Sequence, residues 1–227
     1  MALILSIETS TTVCSVALHS NGNLVGLKEL HLDKSHSEYL IPIIKDLLAY
    51  CGKHQNDLEA IAISKGPGSY TGLRIGASTA KGLCYALNIP LIAISTLRGM
   101  AKQIRIPINE NTLLCPMLDA RRMEVYASLY NYEYQNVLSV QPVIIDESSF
   151  NDYFNDHKLI FFGNGSEKCK GVLNKKAVFI DKIFPSATTI GELAIEKYLG
   201  QYFEDIAYFE PFYLKEFQTT TPRKKPF

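Results

Sequence analysis

The order of apolar runs and turns in the first hundred or so residues recurs in the second, which restricts the chain to architectures built from two copies of one unit. Residues 2–7, 13–19 and 24–32 are short runs rich in Val, Ile and Leu, separated by the polar stretches ETSTT and SNGN. Runs of this kind, punctuated by Gly, Asn and Ser, predict a three-strand meander. Ser35 and Glu38 then stand at capping-box spacing, and Leu40, Ile43, Ile44, Leu47, Leu48 and Cys51 recur at helical intervals up to Gly52. Pro42 falls inside that helix and is expected to kink it, because it withdraws one N–H from the helical ladder. A buried strand (58–64), a glycine-rich loop, a helix from about Thr71 to Leu87 and another buried strand (91–95) complete the order βββαβαβ.

In the second half, LCPMLDARRMEVYASL (114–129) aligns with ILSIETSTTVCSVAL (4–18), each reading as a strand ending in an acid, a polar turn and a returning strand. VLSVQPVII (137–145) matches the third strand. KLIFFGNGSEKC (158–169) mirrors AIAISKGPGSYTGL, placing Gly163, Gly165 and Ser166 where Gly66, Gly68 and Ser69 stand. The expected fold is α/β, with tandem βββαβα lobes at residues 1–105 and 106–227. No stretch between them is Pro/Ser-rich enough to be a flexible linker, so the lobes are expected to pack closely around residues 96–108.

A chain of 227 residues, 47% hydrophobic and 20% charged, can bury a sizeable core. Its formal net charge of zero excludes long-range attraction of the whole molecule to nucleic acid or anionic membrane, so any such binding must be local. The five cysteines are spread out without a CxxC pair, which fits buried thiols in a reducing compartment. MALILSIETS lacks the pattern of a signal peptide and no apolar run is long enough to span a bilayer, so a cytoplasmic protein without membrane contact is expected.

The stretch SKGPGSYTGLRIGASTAKG (64–82) holds five glycines and no acid. A Walker loop requires Lys and Ser/Thr after its last glycine, whereas Leu73 and Arg74 follow Gly72. A dinucleotide fingerprint requires GxGxxG and an acid about 20 residues on. This loop reads GxGxxxG, and no Asp or Glu occurs from Ala60 to Asn109. The same window carries Lys65, Arg74, Lys81, Arg98, Lys102 and Arg105, so an anion at the helix N-terminus would be tolerated; the plainer reading is a turn capped by Ser69 or Thr71.

Gly72, Gly76 and Ala80 recur every four residues along the following helix, although each interior glycine costs about 1 kcal/mol relative to alanine. A stripe of small residues admits another backbone. Either it packs on its own sheet and the first helix, or it forms an intermolecular helix bundle. On the second reading the interface comprises Tyr39, Leu40, Ile43, Ile44 and Leu47 of the first helix with Gly72, Leu73, Gly76, Ala80 and Leu83 of the next.

A duplicated βββαβα unit with a strand-end acid in each half is the pattern of the RNase H-like actin and sugar-kinase superfamily, which holds nucleotide between its lobes. ILSIETSTTVCSVAL, HSEYLIPII, KGPGSYTGLRIGASTAKGL, DARRMEVYASLY and EPFYLK resemble, in order and spacing, the bacterial TsaB (YeaZ) family of tRNA threonylcarbamoyladenosine biosynthesis proteins, from Leu3 to about Lys215. One departure is Met123, where that family usually has glycine, which places the local turn in question. The resemblance implies a non-catalytic partner of the paralogue TsaD and the ATPase TsaE, in a complex that places threonylcarbamoyl on adenosine 37 of tRNAs reading codons that begin with A. It also implies a homodimer when the chain is alone, contacts through the helix pair, and ATP used by the partners rather than by this subunit.

The residues agree with that implication. An actin-like ATPase needs an Asp for the magnesium shell and then a glycine at the first strand turn, and this chain has Glu8, Thr9 and Ser10. Asp119, at the equivalent place in the second half, is expected to pair with Arg121 or Arg122 rather than bind metal, and Glu124 to face solvent or the same arginines. Glu8, Ser69, Thr71, Asp119 and Gly165 remain the interlobe candidates for a bound cofactor. His19, His31, His36, His54 and His157 make no HExxH or HxxxH pair, and no GxSxG elbow is present, against a metal site or a glycoprotease-like peptidase. A degenerate ATP-binding enzyme is the other alternative. The tail PRKKP (222–226) is read as an accessory contact to tRNA at most.

Overall fold

The computed structural model describes residues 2–32 and 36–214. Strands β1 (Leu3–Glu8), β2 (Val13–Ser20) and β3 (Asn23–His31) form the expected meander, followed by α1 (His36–Tyr50), β4 (Ala60–Ser64), α2 (Tyr70–Leu87) and β5 (Leu91–Ile94). The first sheet has the order β3-β2-β1-β4-β5. Helix α1 continues through Pro42. The expected cap at Ser35 lies outside the described residues.

The second half repeats the plan with β6 (Thr112–Asp119), β7 (Glu124–Tyr130), β8 (Asn136–Ile144), β9 (Lys158–Phe162) and β10 (Val178–Ile180). Its sheet order, β8-β7-β6-β9-β10, is the first sheet's order transposed, and in both sheets the central strand pairs antiparallel on one side and parallel on the other. The duplication read from the sequence is therefore one of topology. A single turn, α4 (Asn151–Phe154), stands between β8 and β9 where α1 stands in the first half.

Alternation along β1 explains the layering of the first sheet. Leu3, Leu5 and Ile7 join the core shared with α1 and α2. Ala2 and Ile4, on the other face, join a core with Ile190, Leu193 and Ala194 of α5 (Ala187–Leu199). A helix from the far end of the chain thus covers the first sheet. Reciprocally, Leu97, Met100 and Ala101 of α3 (Thr96–Lys102) pack with Leu114, Leu118 and Ile160 of the second sheet. Cut at residue 105, the strands divide five and five, whereas α3 and α5 each cover the other half's sheet. These two helices also meet: a Cβ on Gly99 would touch Ile190 Cδ1 at 3.0 Å. The joint falls within the 96–108 stretch where close packing of the halves is expected. No helix among the described residues is long and apolar enough to cross a membrane.

Candidate functional site

Two strand-end turns and the glycine loops beside them occupy matching places in the halves. At the first, Glu8 ends β1 on the α5-facing side and is fully buried. Its Oε1 accepts a hydrogen bond from Ser10 N at 2.7 Å, while Oε2 has no partner among the described residues. Burial raises the Glu8 pKa, with the Ser10 and Ser64 hydroxyls opposing the shift in part. Burial thus works against the charged carboxylate that a metal would need.

The glycine loop lies directly on that turn. Gly66 has φ +109°, a backbone region that only glycine adopts without strain. Ser69 N donates to Ser10 O at 2.6 Å, and a Cβ on Gly68 would fall on the same carbonyl, well inside the 3.0 Å below which real Cβ contacts essentially do not occur. Ser69 Oγ caps α2 by accepting from Gly72 N at 3.3 Å, and exposed Thr71 does not serve as the cap. Thr9 Oγ1 donates to Gly72 O at 2.9 Å. The Ser69 amide of the loop is thus engaged by the chain's own backbone.

At the second turn the expected partner of Asp119 is corrected. Its carboxylate accepts from the Lys168 ammonium and from the backbone N–H of Arg121, at 3.2 Å for the latter, and among the described residues it pairs with no arginine side chain. Lys168 Nζ also donates to the carbonyls of Arg122 and Glu124 at 2.6 Å each. One ammonium therefore ties the turn together. Gly165 N donates to Met117 O at 3.1 Å, and a Cβ there would lie 2.7 Å from the Leu118 carbonyl carbon, so this glycine serves close approach as Gly68 does. The left-handed positions of the turn are Arg121 (φ 71°) and Arg122 (φ 49°), and Met123 is not among them. The residue that departs from the family pattern therefore needs no glycine. Among the described residues no hydrogen bond joins Glu8, Ser69 or Thr71 to Asp119 or Gly165.

The intermolecular reading of the small-residue stripe is also corrected. A Cβ on Gly72 would fall on the Thr9 carbonyl and one on Gly76 on Thr9 Oγ1, both well inside 3.0 Å. Leu73 and Ala80 are buried, as are Leu40, Ile43, Ile44 and Leu47, which line the core under α1. Leu83 packs partly against that core. The backbone admitted by the stripe is the protein's own β1–β2 turn. Of the ten expected interface residues only Tyr39, 36% accessible, is exposed; the outward large side chains of these helices are Tyr39, Ile41, Tyr50 and Tyr85.

Sequence reasoning missed Lys168 and α5. A lysine two residues past Ser166 in GNGSEKC was the only local signal for the first; Ile190, Leu193 and Ala194 at helical spacing were available for the second. The histidines stay apart: His36 Nε2–H donates to Thr11 O at 2.6 Å, whereas His31 Nε2 lies 2.9 Å from Glu29 Oε1. Among the described residues no group of three His, Cys, Asp or Glu is placed to hold a metal ion.

Residues 30–219 match the family described as TsaD, tRNA N6-adenosine threonylcarbamoyltransferase. The TsaB protein of Haemophilus influenzae, a tRNA threonylcarbamoyladenosine biosynthesis protein, is 31% identical over 223 residues, covering 93% of this chain and 93% of that one. Among solved structures, YeaZ from Pseudomonas aeruginosa superposes with a TM-score of 0.82 at 25% identity, over 94% of this chain and all of that one. The activator of 2-hydroxyisocaproyl-CoA dehydratase from Clostridium difficile, solved with bound ADPNP, shares the fold alone: its TM-score is 0.52 at 8% identity, over 89% of this chain and 98% of that one. Near full-length similarity and the superposition on YeaZ agree: this chain belongs to the TsaB (YeaZ) family, and most of it also matches the threonylcarbamoyltransferase family model.

Proposed function

We propose that this chain is a non-catalytic subunit in threonylcarbamoyladenosine formation on tRNA, a companion of a TsaD-like catalytic paralogue and a TsaE-like ATPase acting at adenosine 37 of ANN-decoding tRNAs. The observation that carries the reading is the engagement of both strand-end turns by the chain's own groups. Ser69 N is bonded to Ser10 O, and Asp119 is paired with Lys168. A phosphate or a magnesium ion would have to displace these partners, and burial disfavours the charged form of Glu8 that a metal would need. The subunit on this reading binds no nucleotide of its own; ATP is used by its partners. It works in the cytoplasm and self-associates when alone. With the small-residue stripe buried, contacts to the paralogue or to a second copy fall on the outward faces of α1 and α2, where Tyr39, Ile41 and Tyr85 stand.

Reconstitution tests this. With the paralogue, the ATPase, ATP and a threonylcarbamoyl donor present, tRNA modification should require this chain, while the chain alone should hydrolyse neither ATP nor peptide. ATP hydrolysis by the isolated chain that disappears in Glu8→Gln would overturn the non-catalytic reading. Full modification without the chain would overturn the subunit reading.

A further inference from the structure

We infer that His19 makes the joint between the two halves acid-sensitive: when its ring takes up a proton, α5 is released from the first sheet. The inference is independent of the tRNA reading above. His19 stands in β2, paired with Ile4 on one side and Leu24 on the other, on the face that α5 covers. It is 1% accessible, and neither ring nitrogen has a hydrogen-bond partner among the described residues. Ser6 Oγ, on β1, is buried and unpartnered among them as well. Helix α5 comes down on both groups through a glycine. A Cβ on Gly191 would fall on His19 Nδ1 and Cε1, well inside 3.0 Å, and would lie 2.7 Å from Ser6 Oγ. The helix backbone thus rests on the Nδ1 edge of the ring.

A neutral imidazole carries one N–H donor, whereas the protonated ring carries two and a full charge. An interior site without partners holds the ring neutral. Burial accordingly lowers the His19 pKa, with the Glu192 charge and the nearby Thr188 backbone opposing in part. The charged groups around the ring are otherwise committed. On α5, Glu192 is paired with Arg105 at 2.5 Å and Lys197 donates to Ala93 O at 2.8 Å. On the sheet side, Glu8 of β1 is itself fully buried, and Glu29 of β3 lies 2.9 Å from His31. Release of α5 is what gives the protonated ring water. The seat it leaves is shallow: Ala2, Ala60 and Ala62 with Ile4, Ile92 and Ile94 form its sheet side, and Ala187 N bonds Ser15 Oγ at 3.0 Å and the Tyr198 hydroxyl bonds Glu59 at 2.9 Å. The released state binds the proton first as pH falls. The contribution of His19 to the seat is therefore complete above its ordinary 6.5 and is lost as pH falls through the lowered value of the seated ring.

Hydrogen exchange of the full chain, followed by mass spectrometry at about pH 7.5, 6.5 and 5.5 and corrected for intrinsic rates, tests this. Protection of residues 187–199 should fall by up to about tenfold per pH unit below about 6.5, the limit for uptake of one proton, while β7 keeps its protection. In His19→Leu and His19→Gln that fall should be absent. Glu8 titrates with the opposite sign, and both variants retain it, so the difference between wild type and variant belongs to His19. By NMR, the His19 Cε1–H resonance should titrate below 6.5, and lower still in Glu192→Gln, which removes the opposing charge. If neither His19 variant folds, that resonance and its shift in Glu192→Gln decide the matter. The inference is overturned by α5 protection that depends on pH equally in wild type and variants, by parallel loss of protection in β7, which would mean global unfolding, or by a His19 titration at or above 6.5.

Discussion

Replacing Gly72 with alanine adds one methyl group to α2 at a point where the Thr9 carbonyl already occupies the space. Two effects of opposite sign compete. On a free helical surface the change gains about 1 kcal/mol of helix propensity. Gly82, on the same helix, meets that condition, because a Cβ there would have no atom within 4 Å. At Gly72 the new atom would lie well inside 3.0 Å of a backbone oxygen, and the Thr9 Oγ1 bond to Gly72 O restricts retreat. Overpacking of this kind costs about 1 to 3 kcal/mol, and the upper half of that range applies when backbone rather than a flexible side-chain end must move. Net of the propensity gain, Gly72→Ala should lose about 1 to 2 kcal/mol and Gly82→Ala should gain up to about 1. At about 2 to 4 °C per kcal/mol for a chain of this size, calorimetric melting should fall by about 2 to 8 °C for the first and rise by about 2 to 4 °C for the second. Sizing chromatography of the folded variants should show no change of association state. If Gly72→Ala is stabilised like Gly82→Ala, the contact with the β1–β2 turn is absent and the intramolecular account of the stripe fails.

Glu8 has a folded pKa above its ordinary 4.5, so its contribution to stability is complete below about pH 4.5 and is lost as pH rises through the raised value. Glu8→Gln should therefore match wild type in acid and be increasingly more stable toward neutral pH, as read by urea midpoints across that range. Lys168→Met removes the ammonium that bonds Asp119 and two carbonyls, and should lower the melting temperature by about 3 to 12 °C, the equivalent of one charge-assisted hydrogen bond of about 1.5 to 3 kcal/mol; an unchanged value would show that the turn holds without it. Burial pushes the Cys14 and Cys169 thiols up to about 11 and Cys84 to about 12, with Cys115 raised as well. Iodoacetamide at pH 8 should therefore label native protein chiefly at half-buried Cys51, with the other four reacting only after unfolding, as mass spectrometry would show.

Most of the secondary structure was legible in the sequence because it rests on local periodicity. The meander at 3–31, the apolar face of α1 and the boundaries of α2 follow from residues within a few positions of one another. The duplication was legible for the same reason, since each copy carries its own strand, turn and glycine signals. Spacing also placed Gly72, Gly76 and Ala80 on one face and required something to lie close to it. It could not say what. Helical period identifies which side chains share a stripe, but the surface opposite is set by tertiary packing, here the Thr9 turn 63 residues earlier in the chain. The partner of Asp119 is of the same kind: Arg121 and Arg122 were neighbours in sequence, yet their left-handed backbone carries the turn while Lys168, 49 residues away, brings the charge. The placing of α5 on the first sheet, and of α3 on the second, is likewise a matter of which apolar face remains uncovered once both sheets have formed. An amphipathic helix specifies that it must be covered, and only the assembled fold supplies the face that covers it.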